Sequence, residues 1–229
     1  MIRTVVYNGR EIAYELTRKR VKNINLRIRS DGSVTVSASP SVSVKSIETF
    51  ILSRADYILS VIDKLSEREE RYPRLSEFSS GEKFSLFGEI VTLIVEKGKK
   101  NDTYDKNVLR VRRPDNSSCE KMTTEWLNAY CRETVEKICR EYYPYFKEYC
   151  PVFPTLRFRK MTSRWGNCQT RDKIITFNYD LIRAPRPFVE YVVLHELTHF
   201  AEPNHSSRFY SVVSRLMPDW KKRDGLMKY

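Results

Sequence analysis

The sequence predicts an α+β fold: an N-terminal antiparallel β region with one long helix over residues 1–115, then a helix-rich half over residues 116–229 that carries an HExxH helix. Three observations predict this. Period-two alternation punctuated by turn dipeptides dominates the first half. Apolar residues at helical spacing dominate the second. Strands precede helices, with no regular strand–helix alternation of the kind that builds a doubly wound sheet.

The elements follow in order. In "VVYNGREIAYEL", Asn8-Gly9 separates two strand-like runs, and both residues tolerate positive φ, which marks a hairpin. "INLRIRSDGSVTVSAS" repeats the device: Ile24, Leu26 and Ile28 alternate, Asp31-Gly32 turns, and Val34 and Val36 alternate back before Pro40. From Val44 to Ser66, Ile47, Phe50, Ile51, Ala55, Ile58, Leu59 and Ile62 keep helical spacing, and a polar tail runs on to Pro73. "EKFSLFGEIVTLIVEKG" and "NVLRVRRP" read as further strands that continue the N-terminal sheet. Beyond Asn116, "SSCEKMTTEWLNAYCRETVEKICREYYPYFKEYC" reads as one or two long helices interrupted at Pro144. "LRFRKM" and "KIITFN" are short strands flanking the loop "TSRWGNCQTRD". A helix starts near Pro187, a second begins at "HSSRFY" and ends at Pro218, and no internal repeat is visible.

Composition narrows the class. A chain of 229 residues that is 41% hydrophobic can bury a sizeable core. The N-terminus shows no leader-like apolar run, and no window approaches the ~18 apolar residues of a membrane span, so neither a secretory leader nor a membrane is expected. Five cysteines, an odd number without CxxC spacing, point to reduced thiols and a cytoplasmic protein. The net charge of +12 is spread over both halves, with small clusters at residues 18–22 and 97–100. Such a field attracts polyanions, so nucleic acid is a candidate partner, although no recognisable nucleic-acid motif accompanies it.

All three histidines lie in "HELTHFAEPNH", residues 195–205. On a helix, residues four apart share a face, so His195 and His199 can aim ring nitrogens at one ion about 2.0–2.1 Å from each. Glu196 sits about 100° around the helix, placed to act as general base on a metal-activated water rather than as a ligand. One zinc ion per chain is the expected cofactor, and peptide-bond hydrolysis the expected reaction. His205 is favoured as the third ligand, because a chain reversal at Pro203-Asn204 delivers it and imidazole suits zinc. Glu202 and Asp219 remain alternatives. The spacing from His199 to His205 equals that of the metzincins, but Glu202 stands where those have glycine. Met217 is read as a core methionine more readily than as a Met-turn. Cys168 as a nucleophile would compete for the same histidines.

Around these histidines and in several other stretches, the chain resembles the YgjP-like metallopeptidases of the zincin group. "RWGNC" (164–168), "ITFNYDLIRAP" (175–185), "YVVLHELTHF" (191–200), "NHSSRFY" (204–210) and "MPDW" (217–220) carry the resemblance, and "RKRVKNINLRIRSDGSVTVSASP" fits the N-terminal part. More distantly it is similar to WLM and SprT-like proteases, which digest proteins crosslinked to DNA. The resemblance implies a zincin-like C-terminal metallopeptidase domain, His195, His199 and His205 as ligands, and a protein or peptide substrate. It also implies a substrate-holding sheet edge, for which Lys173–Asn178, with Thr176 and Asn178, is the candidate. Trp165 is a cleft candidate, and Arg208 and Tyr210 are candidates for polarising the scissile carbonyl. Asn167 departs from the serine commoner in the family. The rival reading is a basic nucleic-acid-associated module with a structural zinc, or a protease acting on nucleic-acid-bound proteins.

Overall fold

The computed structural model describes residues 2–29, 31–99, 101–114 and 118–227. The chain forms two compact units, one up to Arg71 and one from Tyr72. The division expected between residues 115 and 116 falls outside the described residues.

In the first unit, strands β1 (Ile2–Tyr7) and β2 (Arg10–Arg18) form the expected hairpin, with Tyr7 opposite Arg10 and positive φ at both Asn8 and Gly9. A second hairpin joins β3 (Asn25–Ile28) to β4 (Val34–Ala38). The region is not purely antiparallel. The order is β1-β2-β4-β3, and β2 and β4 run parallel, because the second hairpin docks its later strand against the first. The expected single helix is two, α1 (Val44–Leu52) and α2 (Ala55–Arg71). Ser43 caps α1 by accepting from the Ser46 N–H, and the Ser53 hydroxyl donates to the Phe50 carbonyl where α1 ends. Ile12, Tyr14, Val34, Val36, Ile47, Ile51 and Ile58 fill the core between sheet and helices.

Strands β5 (Lys83–Leu86), β6 (Glu89–Lys97), β7 (Thr103–Asp105) and β8 (Val108–Arg113) do not extend the N-terminal sheet. They make their own sheet within the second unit, in the order β5-β6-β8-β7, with β6 and β8 parallel. This is the topology of the first sheet again, a repeat of connectivity that residue identities do not display. Helix α3 (Cys119–Tyr142) runs as one element to a 3-10 turn containing Pro144. Its first half lays Met122, Trp126, Leu127 and Tyr130 on this sheet; its second half places Cys131, Val135, Ile138 and Cys139 in the main core.

The remaining strands are β9 (Thr155–Arg159), β10 (Gly166–Gln169) and β11 (Ile174–Asn178), in the order β10-β11-β9. β11 pairs parallel with β9 and antiparallel with β10. Part of the expected loop is therefore a strand. Helices α4 (Arg186–Thr198), α5 (Ser207–Leu216) and α6 (Trp220–Gly225) complete the unit. Nine of the thirteen residues of α4 are buried, as befits a helix apolar on every side. Its start is held by the β5–β6 turn: the Phe87 carbonyl accepts from the Arg186 N–H at 3.1 Å, and the Ser85 hydroxyl donates to the Arg183 carbonyl at 2.7 Å. Among the described residues, no helix is long and apolar enough to cross a membrane.

Candidate active site

The buried helix α4 carries His195 and Glu196 in its last turn, and His199 follows as its C-cap. The chain then turns, with the Glu202 N–H donating to the Thr198 carbonyl at 2.9 Å. Ser206 caps α5, its hydroxyl accepting from the Phe209 N–H. These turns return His205 to α4. One ligand-capable atom from each of His195, His199 and His205 lies within 4.8 Å of the others, and the Nε2 atoms of His195 and His205 are 2.9 Å apart. Glu202 and Asp219 are not in this cluster; Asp219 instead pairs with Arg223 at 2.9 Å.

The surroundings set the protonation of these groups. Burial, then His199 and His205, push His195 down to about 3. Burial and His205 also lower His199, against a raising influence from the backbone of Glu202 and Pro203. Both rings are therefore neutral at pH 7, which is the ligand form. Nδ1 of His199 is buried with no hydrogen-bond partner of good geometry, while Nδ1 of His195 faces the Tyr191 hydroxyl at 3.5 Å. Burial raises Glu196 to about 8, opposed by Arg164 and by the backbone of Cys168. A cation beside it acts in the opposite sense and favours the carboxylate.

The donor set suits zinc. Two nitrogens bound to one tetrahedral ion at about 2.0–2.1 Å stand about 3.3 Å apart, close to the 2.9 Å between His195 and His205. Three imidazoles leave a fourth coordination position for water or substrate. The cluster opens on a cleft of about 490 Å³ that includes Trp165, Gly166, Cys168, Phe188 and Tyr191 in its walls.

The other expected residues divide. Trp165 lines this cleft and packs edge-on against Phe188, with ring centroids 5.3 Å apart. Thr176 and Asn178 do not line it. They are 8% and 3% exposed, and their strand β11 is paired on both sides, so Lys173–Asn178 offers no free edge. The Asn178 amide is spent on the loop before β10, donating to the carbonyls of Met161 and Arg164. The edge beside the cleft is β10. Neither Arg208 nor Tyr210 is in the cleft walls: Arg208 is exposed on α5, and the half-buried Tyr210 ring stands 6.3 Å from that of His205 and stacks on Trp220. Met217 is a core residue. The Cys168 thiol is raised to about 12 by burial and then by Glu196, the opposite of what a nucleophile needs.

Sequence reasoning missed Phe209. Its buried ring lies 4.9 Å, centroid to centroid, from each of the three imidazoles, a common floor beneath them. Only its place four residues after His205, on the same face of the helix to come, hinted at this.

Three imidazoles converging next to a carboxylate at the wall of a cleft could hold a metal ion beside a proton acceptor, which makes this a candidate active site of the metal-dependent hydrolase kind. The comparisons narrow it. A family described as YgjP-like, metallopeptidase domain, matches residues 22–229, and the chain belongs to that family. It is also similar to the metallopeptidase zymogen jannalysin of Methanocaldococcus jannaschii, at 17% identity and a TM-score of 0.35, over 39% of this chain and 89% of that one. No curated protein matches the sequence.

Proposed function

We propose that this peptidase is zinc-dependent, that His195, His199 and His205 hold the ion, and that Glu196 is the general base. The observation that carries the reading is the approach of three imidazole donors to within 4.8 Å at a cleft whose wall includes Glu196. Zinc, when bound, supplies Lewis acidity, polarising a carbonyl and making water acidic enough to lose a proton near pH 7. Glu196 would accept a proton from the attacking water and hand it to the leaving amine. Its 6% exposure keeps bulk water from competing for the transfer. An extended substrate adds to the free edge of β10, gripped by backbone hydrogen bonds that are indifferent to side-chain identity. Tyr210, beside His205, is the group we assign to steadying the developing oxyanion.

Metal analysis tests the ligand set. The purified protein should hold about one zinc per chain and cleave unfolded casein, and a chelator should abolish cleavage. His205→Ala should weaken zinc binding at least about tenfold. Unchanged zinc affinity in that variant contradicts the assignment.

A further inference from the structure

Gly166 opens β10 in register with Phe177, and the Trp165 carbonyl just before it accepts from the Asn178 N–H at 2.8 Å. Its backbone lies outside the left-handed region, so its conformation makes no demand for glycine. The demand is steric. A Cβ built at Gly166 would stand 2.5 Å from Oε1, 2.6 Å from Cγ and 2.7 Å from Cδ of Glu196. The three nearest atoms all belong to one side chain, buried at the wall of the cleft, so the contact is relieved only by turning that carboxylate away from its place.

We propose that Gly166 is a positioning residue: the space left by its missing side chain is the seat of the Glu196 carboxylate. The inference rests on the reading of Glu196 as general base. A methyl group there must push the carboxylate away by about 0.9 Å to restore an ordinary 3.4 Å contact. A displacement of that size costs a proton-transfer group on the order of 10²-fold in rate. The loss falls on kcat, because the edge of β10 and the cluster of imidazoles stay where they are.

The test is a double-mutant cycle of Gly166→Ala and Glu196→Ala, read first by thermal unfolding of the zinc-free protein, where no activity is involved. Gly166→Ala should lower Tm by roughly 2–10 °C when Glu196 is present. In the Glu196→Ala background it should lower Tm by less than about 2 °C, because the obstructing side chain is gone. Equal drops in both backgrounds overturn the proposal. If Gly166→Ala alone does not fold, recovery of folding in the double variant supports the seat, and a double variant that stays unfolded overturns it. With zinc restored, Gly166→Ala should keep its metal and KM within about threefold while kcat falls on the order of 10²-fold. A normal kcat, in a protein whose Glu196→Gln variant is inactive, overturns the positioning role and leaves the general base standing. An active Glu196→Gln variant removes the general base itself.

Discussion

Gly88 is where the sheet of β5–β8 meets the start of α4, and substituting it tests how that helix is anchored. Its φ is +90°, and a Cβ there would lie 2.8 Å from the Cα and 3.0 Å from the Cβ of Pro185. Neither atom is the free end of a flexible side chain. Gly88→Ala therefore meets two penalties: a strained backbone, about 1–3 kcal/mol, and overpacking against the Pro185 backbone, about another 1–3 kcal/mol. The entropy removed from the unfolded chain returns only about 0.4–1 kcal/mol. The net cost is about 1–5.6 kcal/mol; for a chain of this size each kcal/mol moves Tm by about 2–4 °C, so the variant should melt roughly 2–22 °C lower. Circular dichroism at 222 nm, followed on heating, reads this directly. A Tm within about 2 °C of the parent would refute the claim that this turn is wedged against Pro185.

Other outcomes follow from the same geometry. Phe209→Leu, which removes the shared floor under the imidazoles, should weaken zinc binding about tenfold or more, measured by competition with a chromogenic chelator. Zinc at a thousandfold excess over its Kd should stabilise the fold by about 4 kcal/mol, seen as a rise in Tm that a chelator reverses; no shift would mean that the ion does not bind the folded state. Burial holds the thiols of Cys131 and Cys139, like that of Cys168, up to about 12, against 9.0 for a free thiol. All three should resist alkylation at pH 7.5 until the protein is unfolded. Because these folded pKa values are raised, the contribution is intact below pH 9 and is lost as pH rises from about 9 towards 12. Melting curves across that interval should show Tm falling.

Much of the fold could be read from the residues because one buried face imposes period-two alternation. Val34 and Val36 announce β4, and positive φ at Asn8 and Gly9 closes the first hairpin as the dipeptide implies. The same logic fails for "GNCQ". Its side chains are half-buried or exposed, with no apolar alternation, and it is a strand because β11 offers a partner. The parallel pairings of β2 with β4 and β6 with β8 join separate hairpins, so no local pattern encodes them. With "GNCQ" read as loop, β11 looks like an edge, yet it is paired on both sides.

The site shows the same division between local and distant. His195 and His199 share a helical face by spacing alone, and turns at residues 199–206 bring His205 to them. The place of Glu202 is a matter of turn geometry, invisible in composition: its carboxylate stays out of the cluster, while its N–H closes the turn after α4. The fit of Gly166 against Glu196 joins residues thirty apart in sequence and depends on how β10 docks on α4. No local rule reports that docking.

In the proposed mechanism Glu196 moves the proton while the three histidines hold the ion, and Glu196→Gln separates those roles with little change in shape. The decisive measurement is zinc content and initial rate of casein hydrolysis on the same sample of that variant. About one zinc per chain and a rate lower by about 10²–10⁴-fold are expected. Full zinc content with an undiminished rate would contradict that mechanism.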